Sequence, residues 1–366
     1  MIAETRPLST AAAPAPSPIA SGGDRYGTHR ALEPRGALPQ PAARVDNDFS
    51  RLFEGEMLLT VETLNVDAAS FRQMEEEIRA GDVDAGVARL VEETVEARGK
   101  QHNPVTGSGG MLLGRVAQLA PGRAPEDLKV GDRVATLVSL SLTPLRIDRV
   151  KAVRRASAQL DVDGQAVLFA SGAYAKLPSD MPERLALAVL DVAGAAPQVA
   201  RLVKPGARVV VLGAGGKSGI LCVAEARRRG GPAAKIVGIE SFEAAAAELR
   251  ALGICDAVVA ADARDPVAVR RVVLEALGGE ESDVTFSCVN VADSEMGAIL
   301  ATRDRGTVYF FAMSTSFTKA ALGAEGVGKD VDLFIGNGFA KDHADHTLAM
   351  IREMPKVRAL FEKRYG

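Results

Sequence analysis

Two rhythms of apolar and polar positions divide the chain. From Tyr26 to about Pro178, short β-type apolar runs alternate with Gly/Pro punctuation, at residues 57–61 (Met-Leu-Leu-Thr-Val), 111–116, 133–138 and 165–169. Runs of this length between turn residues read as strands, so a mostly-β unit is expected here. An acidic stretch at 70–98 has helical periodicity instead, and Gly81-Asp82 breaks it into two helices. After Pro182 the text becomes apolar strand, glycine-rich turn and alanine-rich helix, repeated at βαβ spacing. Strands are expected at 208–212, 235–239, 256–260, 283–289, 306–312 and 331–335, with helices between them such as 242–252 and 266–277. Asp265 and Pro266 supply an N-cap and a first helical residue for the last of these. The expected fold class is α/β, with a β-rich N-terminal domain ahead of a doubly wound, parallel, six-stranded sheet.

Composition refines this picture. At 366 residues the chain suggests about two domains. Residues 1–23, rich in Pro, Ala and Ser, are expected to be disordered; 24–180 form the β-rich substrate domain and 181–366 the nucleotide-binding domain. The C-terminal helix, at 354–366, is expected to pack back on the β-rich domain. Lys plus Arg total 44 against 47 Asp plus Glu, a net charge of -3, so neither a nucleic acid nor an acidic membrane is expected as partner. No run approaches the ~20 apolar residues of a membrane span, and the N-terminus lacks a secretory h-region. Cys222, Cys255 and Cys288 are odd in number, isolated and set among apolar residues, which excludes a disulfide framework and reads as a reducing cytoplasm. A homodimer is the expected assembly.

The sharpest motif is Val209-Val210-Val211-Leu212-Gly213-Ala214-Gly215-Gly216-Lys217-Ser218-Gly219, a buried-strand pattern running into a glycine turn and then a helix. Such a strand-turn-helix points backbone N–H groups and the positive helix end at a pyrophosphate. The spacing is GxxGxxG, and no GxxxxGK[ST] of a Walker loop is present. The next strand ends at Glu240, 240 − 219 = 21 residues after the last glycine, close to the ~20 expected of the acid that takes a ribose 2′-hydroxyl. An acid there repels a 2′-phosphate, which favours NAD over NADP. Gly213, Gly215, Gly216, Lys217, Ser218, Gly219 and Glu240 are therefore the first cofactor candidates, and Asp262, Val289, Asn290 and Ala312 follow them at the C-terminal ends of later strands.

A β-rich N-terminal unit containing Leu128-Lys129-Val130-Gly131-Asp132-Arg133-Val134, followed by this glycine motif, resembles the medium-chain dehydrogenase/reductase superfamily over nearly the whole chain after residue 25. Within it, the strings at 26–30 (Tyr-Gly-Thr-His-Arg), 38–41, 103–111, 139–148 and 315–326 are similar to the 3,5-diaminohexanoate dehydrogenase family. The resemblance implies a GroES-like N-terminal domain, a Rossmann domain and NAD-dependent oxidative deamination of a diamino acid in lysine degradation. Where the zinc-dependent branch has a ligand Cys this chain has Thr63-Leu64-Asn65-Val66-Asp67-Ala68, and where that branch has Gly-His-Glu it has Gly107-Ser108-Gly109. The histidines His29, His102, His343 and His346 make no convincing ligand set with the cysteines, and His343 and His346 read as surface side chains, so no catalytic metal is expected.

Oxidising an amine needs a neutral amine, a hydride acceptor and water addition under acid/base assistance. A diamino acid calls for acids on one side of the pocket and a cation on the other. Asp67, in the position of the missing zinc ligand, is the first candidate for the amine. Asp191 is the second, an acid in an apolar segment whose burial would demand a partner. Arg146 and Lys319, with His102 and Arg30 behind them, are candidates for the carboxylate, and Thr106 and Ser108 for hydroxyl contacts. Each retains a plain structural alternative as a cap or turn residue. A zinc-free enoyl or quinone reductase and a non-catalytic NAD(P) sensor on the same scaffold are the competing readings.

Overall fold

The computed structural model describes residues 16–365 apart from 67, 79, 104–106, 108, 123–127, 313 and 337, with the backbone alone at 68, 69 and 156. The chain divides into two compact units, Met1–Leu177 and Pro178–Gly366.

The first unit is built on β1 (Met57–Asn65), β2 (Met111–Leu119), β3 (Arg133–Thr136), β4 (Leu145–Arg154), β5 (Gln159–Leu168) and β6 (Tyr174–Lys176). These make one antiparallel sheet in the order β6-β3-β2-β1-β5-β4. Between β1 and β2 lie α1 (Ala68–Glu77) and α2 (Val83–Arg98). The break between the helices has a local cause: the Asp82 carboxylate accepts from the N–H groups of Asp84 and Ala85 and starts α2 afresh. Val87, Val91 and Val95 repeat every four residues and are buried together on the face of α2 that meets β4. β4 has no counterpart among the expected strands. Of its exposed positions Asp148, Arg149 and Lys151 are charged, and Arg149 and Lys151 pair across to Asp163 on β5, so this edge strand shows no apolar run to read. The expectation of disorder to residue 23 is also corrected, because Ile19–Ala20 pairs in parallel with Leu52–Phe53 and Ser17 donates to the Phe49 carbonyl.

The second unit opens with α3 (Glu183–Leu190) and α4 (Ala195–Leu202), then alternates β7 (Arg208–Leu212), α5 (Lys217–Gly230), β8 (Lys235–Ile239), α6 (Glu243–Leu252), β9 (Ala257–Val259), α7 (Pro266–Ala276), β10 (Ser282–Ser287), α8 (Glu295–Ala301), β11 (Thr302–Phe310), α9 (Phe317–Gly326) and β12 (Asp332–Ile335). The parallel sheet runs β9-β8-β7-β10-β11-β12, so the order reverses at β7 and β10, where doubly wound sheets open a crevice for ligands. Asp265 caps α7 as expected, accepting from Ala268 N–H at 2.9 Å. β10 and β11 stop at Ser287 and Phe310, short of the expected ends at 289 and 312, which frees Cys288 to Asn290 to line that crevice.

Two helices close the chain, α10 (His343–Glu353) and α11 (Pro355–Tyr365). α11 belongs to the second unit, where it packs on α3, α6 and α10. His343 is a further correction. It is buried rather than on the surface, its Nδ1 lies 2.7 Å from the Ala340 carbonyl, and its ring meets Phe339 edge-on. Among the described residues no single helix is long and apolar enough to cross a membrane.

Candidate functional site

The turn between β7 and α5 is shaped by backbone. Gly213 has φ +70°, the left-handed region, and its N–H and that of Ala214 both donate to the Ile239 carbonyl at the end of β8. A Cβ on Gly219 would sit 2.1 Å from the Gly213 carbonyl oxygen, so only glycine lets α5 start this close to the turn. Beside it lies a cavity of about 490 Å³, lined among others by Gly213, Gly216, Glu240, Asp262, Val289 and Asn290. A volume of this order, a glycine cradle and a helix N-terminus suit a nicotinamide dinucleotide.

Glu240 is buried, 7% exposed, and both its oxygens are engaged: Gly215 N–H donates to Oε2 and Phe242 N–H to Oε1, each at 3.0 Å. Each carboxylate oxygen keeps a further lone pair for ribose hydroxyls. Asp262 lies across the cleft, gripped by Arg264, whose hydrogen bonds bring the acid down to about 2, so it is ionised at any working pH. Arg264 lines the pocket too, so the Asp262–Arg264 pair adds no net charge to it. Arg264, which the sequence reading passed over, is spent on the acid.

The remaining candidates are scattered. Lys217, first in α5, reaches Asp191 at 2.8 Å, and its ammonium lies 5.2 Å from the centre of the Tyr365 ring. Asp191 therefore has its cation, but the expectation that it is buried fails: it caps the C-terminal end of α3 and is 44% exposed, although the six residues before it are all buried. Ser218 and Gly219 follow Lys217 in the first turn of α5. Ala312 lies beyond the end of β11 and is half-buried. Lys319, early in α9, is paired with Asp293, which raises its pKa. In the first unit, Arg146 on β4 donates to Asp148 and Gln165, and Arg30 is wholly buried against Glu56. Asp67, Thr106 and Ser108 lie outside the described residues.

Three features escaped the sequence reading. Among the described residues His102 Nδ1 and Gln101 Oε1 are buried and find no hydrogen-bond partner. Burial, then the nearby charges of Lys100 and Arg98, push the His102 pKa down, which makes it a neutral acceptor rather than the cation expected for a carboxylate. Cys222 and Cys288, 66 residues apart, bring their sulfurs to 3.6 Å, with Cys288 on the cleft wall rather than inertly packed in a strand. The hydrogen bond to Cys288 and burial push the Cys222 thiol up, and burial pushes Cys255 up to about 12. Iodoacetamide at neutral pH is accordingly expected to label Cys222 and Cys255 only after denaturation, and rapid labelling of either in the native protein, read by mass spectrometry, would contradict this. Among the described residues no three His, Cys, Asp or Glu side chains group as a metal site.

A family model described as the L-erythro-3,5-diaminohexanoate dehydrogenase N-terminal domain matches residues 29–178. Over 344 residues the chain is 54% identical to an L-erythro-3,5-diaminohexanoate dehydrogenase of Acetoanaerobium sticklandii, covering 94% of this chain and 99% of that one. It is 50% identical, with the same coverage, to a protein of that name from Fusobacterium nucleatum. The chain belongs to the L-erythro-3,5-diaminohexanoate dehydrogenase family. Its members here are oxidoreductases by name, and a small-molecule substrate follows for the family. Among solved structures, AibC matches with TM-score 0.53 at 18% identity over 83% of this chain and 79% of that one. An Escherichia coli quinone oxidoreductase complexed with NADPH matches with TM-score 0.51 at 16% identity, over 83% and 80%. At such identities these share the medium-chain reductase fold with the family and nothing narrower.

Proposed function

We propose that this protein catalyses the NAD-dependent oxidative deamination of L-erythro-3,5-diaminohexanoate: substrate, NAD⁺ and water give 5-amino-3-oxohexanoate, ammonium, NADH and a proton, as a step of lysine degradation in the cytoplasm. The observation that carries this reading is 54% identity, end to end, with a relative of that name. The preference for NAD rests on Glu240 in the cleft, which opposes a 2′-phosphate, the charge of Asp262 being balanced by Arg264 beside it.

The N–H groups of the first turn of α5 would hold the pyrophosphate, with Gly213, Gly215 and Gly216 giving it room, and Glu240 the adenosine ribose, with Val289, Asn290 and Ala312 toward the nicotinamide end. Bound in this way, the dinucleotide supplies the hydride acceptor. The protein's own part is to neutralise and orient the amine. Asp67 and Asp191 are assigned to the substrate ammonium groups, Arg146 and Lys319 to the carboxylate, and Thr106 and Ser108 to hydroxyl contacts. His102 joins Asp67 as a candidate base, since a neutral imidazole with a free acceptor can take the proton that amine oxidation must lose. No metal is assigned a step, because Asp67 and Ser108 stand where the zinc branch has ligands. The reading includes a homodimer: β12 ends the parallel sheet, and its Phe334 and Ile335 are exposed.

The test is NADH formation at 340 nm with EDTA-treated protein and 3,5-diaminohexanoate, with NAD or NADP. NAD-linked turnover that survives EDTA is expected, falling by about 100-fold or more in Asp67→Asn. No turnover with either dinucleotide, despite saturable NADH binding, would remove the substrate assignment and favour the reductase reading.

A further inference from the structure

The peptide groups on either side of Gly215 are each held by a charged side chain. Its N–H donates to Glu240 Oε2 at 3.0 Å, and its carbonyl oxygen accepts from Arg364 Nη1 at 2.7 Å. Arg364 comes from the last turn of α11, 149 residues away in sequence. Its guanidinium is itself fixed, donating through Nε to Glu248 Oε2 on α6 at 2.8 Å and through Nη2 to the same carboxylate, and its side chain is only 18% exposed. The helix that delivers it is anchored through Val357, Leu360 and Phe361, all buried, and the next residue, Tyr365, presents its ring to Lys217 at the start of α5. A Cβ on Gly215 would meet Glu240 Oε2 and the Ala245 methyl at 2.8 Å, so this peptide has no slack on the α6 side.

We propose that Arg364 is a positioning residue for the dinucleotide turn. By fixing the carbonyl of Gly215 it fixes the plane of the Gly215-Gly216 peptide and thereby the direction in which α5 opens toward the cleft. The C-terminal helix thus acts as a brace on the phosphate-binding turn and contributes to dinucleotide affinity without touching the reacting atoms. This rests on the dinucleotide reading of the cleft.

The experiment is titration of the full-length protein with NADH, followed by fluorescence, alongside steady-state kinetics for wild type, Arg364→Ala, Arg364→Lys and Lys363→Ala. Losing a charged hydrogen bond that orders the turn should raise the NADH Kd and the KM for NAD about tenfold in Arg364→Ala, with kcat at saturating NAD unchanged. Arg364→Lys keeps a cation and a donor but not the fork, and should recover part of the affinity. Lys363→Ala, which removes an exposed partner of Glu248 and no contact with the turn, should bind as wild type. Wild-type Kd in Arg364→Ala with only a lower melting temperature would overturn the proposal, as would equal losses in Lys363→Ala or a fall in kcat at saturation. Should Arg364→Ala fail to fold, Arg364→Lys decides alone: an unchanged Kd rejects the brace. If wild type binds no NADH, it is the reading of the cleft that fails, and the two failures are distinct.

Discussion

Glu240→Gln is expected to raise the KM for NAD by 10- to 100-fold and to shift the NAD to NADP preference, measured as the ratio of kcat/KM values, by at least tenfold toward NADP; the estimate rests on losing one to two charge-assisted hydrogen bonds. The substitution is nearly isosteric, so packing is conserved and the change lies in hydrogen bonding and charge. As a carboxylate, the side chain accepts from Gly215 and Phe242, one N–H on each oxygen. A glutamine has a single acceptor oxygen, and its NH₂ must then face one of those two N–H donors. Either the glycine turn loses its hold or the start of α6 does, inside a pocket where the residue is 7% exposed. The ribose hydroxyls lose an acceptor at the same time. A 2′-phosphate gains, because the Glu240 charge is gone while that of Asp262 stays balanced by Arg264. Unchanged KM for NAD and an unchanged preference would reject the role of Glu240, and with it the physical ground for NAD.

What the sequence disclosed and what it hid follow from the range of the interactions. The central strands β7 and β8 are nearly continuous apolar, buried runs because both faces of the sheet are covered there, and they fall where the pattern put them. The glycine turn and Glu240 are separated by one helix and one strand, so their spacing is constrained and readable. β4 was illegible because an edge strand satisfies its outer face with Arg149 and Lys151 rather than with apolar side chains. Asp191 was misjudged for the opposite reason: Leu185 to Leu190 are buried on every face of α3, but the acid sits past its last turn, where burial ends. The Arg364 tie to Gly215 and the Cys222–Cys288 approach join residues that are close only once the second unit has folded, and no local pattern announces either.

Glu56→Ala is expected to destabilise the protein by about 3–5 kcal/mol at pH 7, measured by chemical denaturation, because it takes the two-point carboxylate partner from a buried guanidinium. Arg30 is 0% and Glu56 1% exposed. They form a two-point ion pair, Nε to Oε1 at 2.7 Å and Nη2 to Oε2 at 2.8 Å. Phe53 N–H donates to the same carboxylate at 2.8 Å, His29 Nε2 lies 2.9 Å from it, and the rest of the Arg30 fork reaches the carbonyls of Asp48 and Arg51. With Glu56 gone, the cation keeps its carbonyl partners and the half-exposed Asp46 carboxylate 3.4 Å from Nη1, but loses its two-point buried partner. Replacing both residues, as in Arg30→Met with Glu56→Leu, should cost less than the single change. The pH dependence has a definite sign. Burial pulls the Glu56 pKa up, but hydrogen bonds from Arg30 and His29 outweigh it and leave the folded value below the ordinary 4.5. The stabilisation is therefore complete above the ordinary carboxylate value and is lost as pH falls through the folded one, so the gap between wild type and Glu56→Gln should narrow from pH 7 toward pH 3. A cost below ~1 kcal/mol in Glu56→Ala, or a gap that widens on acidification, would refute the argument. Activity per folded molecule should be unchanged in Glu56→Gln. The Tyr26 to Arg30 string, one of those that drew the chain toward its family, is then a signature of how the first unit is held together, with Arg30 excluded from the substrate carboxylate by the partners that bury it.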